Sequence, residues 1–214
     1  MRTSTERGAP RVKVHAKKDF PVAEIRRLLE PGPIVLVSSA WRRETNIMTM
    51  GWHTVMEFTP SLVGCVISSA NHSFDLIRRS KACVINLPNM DLAETVVRIG
   101  NCSGRDTDKL SAFGLTPLPG TAVGAPLIAE CHASFECRLV DARLVKTYNF
   151  FVFEVVKAHA ATTPRYPRTI HYRGDGVFML SGRARGGIAG SFVLTCCDLA
   201  RRASRRNRQA EEPP

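Results

Sequence analysis

The chain has 214 residues, 44% of them hydrophobic, and a formal net charge of +11. That length suits one globular domain with tails, and no apolar run approaches the length of a membrane-crossing helix. Residues 1–18 are polar and basic, without the apolar stretch of a secretory signal, so the expected location is cytoplasmic, with no membrane partner and with reduced thiols.

The placement of charge divides the chain. Residues 1–20 form a basic N-terminal segment, residues 183–214 a basic C-terminal tail, and residues 21–182 a nearly balanced body. A nucleic-acid reader usually carries its basic stripe on a folded face. Here the ends supply the charge, as solvated tails do, so nucleic acid is an unlikely partner in this reading. Weak polyanion binding through Arg201, Arg202, Arg205, Arg206 and Arg208 is the residual alternative.

In chain order, Pro21 opens an expected helix over residues 21–30, where Val22, Ile25 and Leu28 recur at helical spacing before Pro31-Gly32. Strands are expected at 34–39, 46–54 and 62–69, each bounded by polar or Pro/Gly residues. A helix over 73–80 turns Phe74 and Ile77 inward. A strand follows at 82–87, then a helix at 92–99 with Leu92, Val96 and Ile99 on one face. Asp106 is the expected cap of a short helix carrying Lys109 and ending at Gly114. After a Pro/Gly-rich connector, 116–126, two long strands are expected at 129–139 and 145–160. Asp175-Gly176 marks a hairpin whose closing strand is 177–180.

About seven strands with short helices between them lack the alternation of a parallel nucleotide-binding sheet. The expected class is mainly β with short helices, an antiparallel barrel. The glycines at 182, 186, 187 and 190 do not keep dinucleotide-fingerprint spacing. Seven cysteines include no C-x-x-C pair. Cys131 and Cys137, six residues apart on one strand, would stand roughly 20 Å apart, too far for one metal ion, so no metal site is expected.

Residues 46–73 carry the densest polar chemistry. Ser68, Ser69, Asn71, His72 and Ser73 cluster where a strand gives way to a helix. Unpaired amides and a positive dipole at a helix start favour an anion, and Trp52 offers a flat apolar face. Phosphate plus ring points to a nucleotide-type cofactor. The competing reading is that Asn71 and the serines are ordinary helix caps.

The order Asn46-x-Met-Thr49-x-Gly-Trp52, the Ser-rich turn into a helix, Ala-Cys-Val-Ile-Asn86, and Ser103-Gly-Arg-Asp-x-Asp-Lys109-Leu resembles the flavin reductase-like family, and within it the flavoredoxin branch. The resemblance spans roughly residues 20–182. It implies an FMN-binding split β-barrel and a homodimer. Asn46 would bond the flavin or its ribityl chain, with Met48, Thr49 and Trp52 along the ring. Ser68, Ser69 and Ser73 would take the phosphate region, helped by backbone groups of Asn71 and His72, with Lys109 as the cation. Phe178 would close over the ring. Tyr148, where the branch often places a His, would keep a hydrogen-bonding tip at the cofactor, although a His-dependent proton role there is not implied.

The implied activity is hydride transfer from NADH or NADPH to flavin N5. The flavin carries the chemistry, and no catalytic side chain is required. Reduced flavin would then pass to a partner monooxygenase, or serve another electron acceptor while bound. The alternative is a non-catalytic FMN electron-transfer protein.

Overall fold

The computed structural model describes residue 21 and residues 32–181. The expected helix at 21–30 and both basic ends lie outside the described residues.

Two hairpins start the fold. β1 (Val35–Trp41) pairs antiparallel with β2 (Glu44–Met50), from Val35 opposite Met50 to Trp41 opposite Glu44. Its tight turn holds Arg42 at φ 58, in the left-handed region. β3 (His53–Phe58) pairs in the same sense with β4 (Ser61–Val66). Helix α1 (His72–Ser80) leads into β5 (Ala82–Leu87). A 3-10 turn, Met90–Leu92, precedes α2 (Ala93–Gly100), and α3 (Lys109–Ala112) follows. The short strands β6 (Pro117–Leu118) and β7 (Leu127–Ile128) bracket the connector. The long strands β8 (Ala133–Asp141) and β9 (Phe150–Ala160) are separated by α4 (Val145–Tyr148), and β10 (Ile170–Tyr172) pairs with β11 (Phe178–Leu180).

Seven strands form one sheet in the order β2-β1-β5-β8-β9-β4-β3, antiparallel throughout. This is the expected split barrel. β2 and β3 are consecutive in the chain yet stand at opposite ends of that order, joined through Gly51 and Trp52. Strand alternation distributes the side chains. Val35, Val37, Met48 and Met50 join Cys65, Phe151 and Phe153 in one buried cluster, and α1 adds Phe74 and Ile77. The Phe74 ring meets Phe151 edge-on at 5.4 Å. The alternate positions Leu36 and Ile47 face the other way, where α2 covers them with Val96 and Ile99. Apolar residues therefore occur on both faces of β1 and β2, because both faces are covered.

Several boundaries differ from expectation. The strand at 46–54 breaks at Gly51-Trp52, because the chain passes there from one end of the sheet to the other. Asp108, rather than Asp106, caps α3, accepting from the Ser111 amide at 3.4 Å and the Ser111 hydroxyl at 2.8 Å. Residues 145–148 form a helical turn, not the start of a strand; Asn149, at φ 54, ends it and redirects the chain. Residues 129–132 lie outside the sheet, and β8 runs on to Asp141. The hairpin at 174–176 is present, with Asp175 and both glycines at positive φ.

Candidate functional site

Two cavities adjoin one another. The first, about 390 Å³, is polar: Asn46 and Met48 of β2, the turn 70–72 and the loop 100–104 line it, with Lys109. The second, about 530 Å³, is mainly apolar: Ile34, Trp52, Val96, Val97, Tyr172 and Phe178 face it beside Thr49. Gly100 and Asn101 border both.

The polar cavity rests on a buried hydroxyl chain. Ser39 and Asn46 are partners across the β1–β2 ladder. Ser39 Oγ donates to Ser73 Oγ at 3.1 Å, and Asn46 Nδ2 donates to the same oxygen at 2.9 Å. Ser39 and Ser73 are fully buried and Asn46 is 4% exposed. A Cβ on Gly104 would collide with the Asn46 amide, so glycine there lets the 100–104 loop lie against Asn46.

Helix α1 opens on this cavity. Asn71 occupies the cap position, but its side chain makes no capping hydrogen bond, so the helix-cap reading of Asn71 does not hold. Asn71 borders the cavity instead. His72 Nε2 is 2.6 Å from Glu44 Oε1. Arg105 reaches across, donating to the Ala70 carbonyl at 3.3 Å. Lys109 is 6% exposed, and its Nζ donates to the Ile99 carbonyl at 2.9 Å, at the end of α2. A cation is favoured at that helix end. Burial holds the Lys109 pKa below the usual lysine value, partly offset by the neighbouring Cys102 thiol.

In the apolar cavity, Thr49 Oγ1 donates to the Val96 carbonyl at 2.7 Å, fixing α2 to β2. The β10–β11 hairpin forms the outer wall, where the Tyr172 and Phe178 rings pack 5.0 Å apart. Trp52 is 53% exposed, which leaves this end open to a planar molecule.

Eight expected residues line the cavities: Asn46, Met48, Asn71, His72 and Lys109 the polar one, and Thr49, Trp52 and Phe178 the apolar one. Ser73 sits behind the wall, its hydroxyl engaged by Asn46 and Ser39. Ser68 and Ser69 are exposed outside both cavities, and Ser68 Oγ accepts from the Ala70 amide at 3.3 Å, closing its own turn. Tyr148 stands 66% exposed on α4, away from both. The loop 100–104 escaped residue-level reading. Its signal was the Ser103-Gly104-Arg105 run, noted as a motif but not assigned a contact.

Other reactive groups lie elsewhere. Cys65, Cys83 and Cys137 are buried in the barrel, with Cys83 directly opposite Cys137. Burial pushes the Cys65 thiol up, and contact with Cys137 followed by burial does the same to Cys83. Glu136 is fully buried under the connector. It meets His159 Nε2 at 2.8 Å, the Thr121 hydroxyl at 2.7 Å and the amides of Ala122 and Val123 at 2.6 and 2.8 Å. Burial opposes its ionisation, but these donors, led by His159, outweigh it and hold the carboxyl down at about 2. Among the described residues, no three His, Cys, Asp or Glu side chains are grouped to hold a metal ion.

Residues 26–178 match the sequence model of the flavin reductase like domain. The chain is 32% identical over 171 residues to the uncharacterized protein YddH of Escherichia coli (strain K12), covering 73% of this chain and 90% of that one. Its fold is similar to an FMN-binding domain of a flavin reductases-like enzyme from Shewanella baltica OS155, with TM-score 0.67 and 26% identity over 81% of this chain and all of that one. It is also similar to the flavoredoxin of Desulfovibrio vulgaris (Miyazaki F), with TM-score 0.68 and 21% identity over 75% and 92% of the two chains.

Proposed function

The chain belongs to the flavin reductase-like family, and from that premise we propose that it binds FMN and uses it to oxidise NADH or NADPH. The observation that carries this reading is the pair of adjoining cavities, polar and apolar, sharing Gly100 and Asn101. FMN has the same division: a phosphorylated polyol tail and a flat aromatic ring. The donor set fits. Asn71 and Lys109 offer a side-chain amide and a cation to the phosphate, beside the α1 amides. Trp52, Phe178 and Thr49 would border the ring.

When bound, FMN supplies a hydride acceptor at N5. The protein's part is positioning and solvent control. Lys109 balances phosphate charge while remaining tied to α2. Trp52 and the β10–β11 hairpin hold one ring edge and leave room for a nicotinamide to stack. No side chain has to move a proton in this scheme, consistent with a site built of amides, hydroxyls and aromatic rings. Tyr148, exposed and away from both cavities, is given no role.

The working form in this reading is a homodimer, supported by the exposed Val55, Met56 and Phe58 on the end strand β3. The reduced flavin would serve a partner monooxygenase or another electron acceptor.

The test is an absorbance spectrum of the purified protein followed by anaerobic NADH and NADPH titration. Flavin bands that bleach with either donor are expected. Bands that stay unbleached would leave an FMN electron carrier, and a protein that takes up no flavin would end both readings.

A further inference from the structure

We propose that Cys102 is a modification site in the polar cavity, where a mixed disulfide with a small anionic thiol shuts the cofactor out; this rests on the FMN reading above and adds a redox control to it. The thiol does not stand alone. Cys102 Sγ lies 3.8 Å from the Ile99 carbonyl oxygen, the same atom that accepts from Lys109 Nζ at 2.9 Å. A thiol and an ammonium therefore meet one acceptor at the end of α2, and both residues line the polar cavity.

Two buried side chains show that the cavity around this thiol is made for an occupant. Lys109, 6% exposed, donates to Ile99 and to no other group among the described residues, although an ammonium has further N–H groups to give. Asn46, 4% exposed, meets Ser73 with one end of its amide and leaves the other end beside Gly104 without a partner among the described residues. Buried polar atoms left unpaired are costly. A polar, negatively charged molecule in the cavity relieves both, and one that carries a disulfide arrives next to Cys102.

The reactive form is the thiolate. The carbonyl end of α2 disfavours negative charge there, and the Lys109 cation at the same carbonyl offsets it. The other described thiols are worse placed. Cys65, Cys83 and Cys137 are buried in the barrel, and burial pushes Cys131 up to about 12. In the step itself, the Cys102 thiolate attacks one sulfur of a low-molecular-weight disulfide. A new S–S bond forms as the old one breaks, and the second sulfur leaves as a thiolate that takes up the proton Cys102 gave away. Cys102 is oxidised and the incoming disulfide reduced. The attached group then fills the cavity of about 390 Å³ that the phosphorylated tail would enter, and attack by a free thiol reverses the block.

The full-length apo-protein is incubated with oxidised glutathione, the modified cysteines are located by peptide mass, and FMN affinity is measured before and after. A mixed disulfide on Cys102 is expected, with FMN binding weakened at least about tenfold and restored by dithiothreitol. Saturating FMN added first is expected to slow the reaction at Cys102 about tenfold without slowing it at other cysteines that react. Cys102→Ser should make FMN affinity indifferent to the disulfide. Lys109→Met should slow the reaction at Cys102 about tenfold, and Lys109→Arg, which keeps the cation, should not. Cys102 left unmodified, or modified with FMN affinity unchanged, overturns this proposal alone, as does a rate at Cys102 indifferent to FMN and to Lys109. An unaltered chain that binds no FMN overturns the FMN reading and the proposed control with it.

Discussion

Lys109 Nζ donates to the carbonyl oxygen of Ile99 at 2.9 Å, so one amine closes the end of α2 while bordering the polar cavity. The helix and the cavity thus share a cation. Lys109→Met is expected to weaken FMN binding roughly ten- to a hundredfold, the range of a lost charge-assisted hydrogen bond. A pH signature accompanies it. Burial lowers the Lys109 pKa, and a bound phosphate would restore the charge. Binding then takes up a proton above the lowered value, and FMN affinity falls as pH rises through it. The sign for stability is opposite. Between the lowered value and the ordinary 10.5, the unfolded chain binds more protons, so the empty protein gains stability as pH rises. FMN titrations across alkaline pH check the first and urea unfolding of the empty protein over the same range checks the second, and Lys109→Met should flatten both slopes.

Gly104→Ala tests the contact between the 100–104 loop and β2. The added Cβ meets the Asn46 amide, which Ser73 holds in place. The loop must retreat, widening the polar cavity. FMN affinity is expected to fall at least about tenfold, with thermal stability changed by no more than about 1 kcal/mol, the ordinary scale for an adjustable site. Unchanged FMN affinity would show that the loop bends without disturbing the site.

Glu136 holds the connector 121–123 to β8. Glu136→Gln leaves its buried donors facing a partner with fewer acceptors and is expected to cost about 3 kcal/mol in urea unfolding. The carboxyl is depressed to about 2 from 4.5. Its contribution is therefore fully present above pH 4.5 and is lost as pH falls toward 2. The unaltered protein should lose stability over that acid window, and the Gln variant should lose less.

The end strand β3 carries the dimer expectation. Val55, Met56 and Phe58 are 65%, 46% and 58% exposed. Phe58→Asp combined with Met56→Lys is expected to give a monomer by light scattering without loss of fold. A monomer before substitution would remove the dimer from the proposed function.

Much of the fold was legible because hydrophobic period and punctuation agreed. β5 matches its expected bounds, since Lys81 at φ 59 and Pro88 close it on either side. The break at Gly51-Trp52 was not legible: His53 and Thr54 keep a strand-like pattern, and only the sheet order shows that they belong to its other end. α4 was hidden for a similar reason, as Val145 and Tyr148 suit a strand as well as a turn of helix. In the site, Asn46 and Lys109 could be picked out by residue type and motif. Ser39 could not. It is a serine in an apolar strand, and its link to Asn46 depends on a strand register and on a helix packed across it. Ser68 and Ser69 stand outside both cavities, and the Ser68 hydroxyl closes its own turn, a local bond that a hydroxyl near a helix start makes as readily as it binds an anion.

The joint at Gly51-Trp52 has a mechanical consequence. It links the two margins of a single sheet, and the backbone there is secured by the Val66 amide donating to the Trp52 carbonyl at 2.9 Å. Thr49 stands just before the joint and Trp52 within it, and both face the apolar cavity. A ligand seated there would tie the end of β2 and the joint itself to α2 and to the β10–β11 hairpin, which supply most of the rest of the lining. Its binding free energy would add to the work of parting those elements, because the parted elements no longer form the pocket.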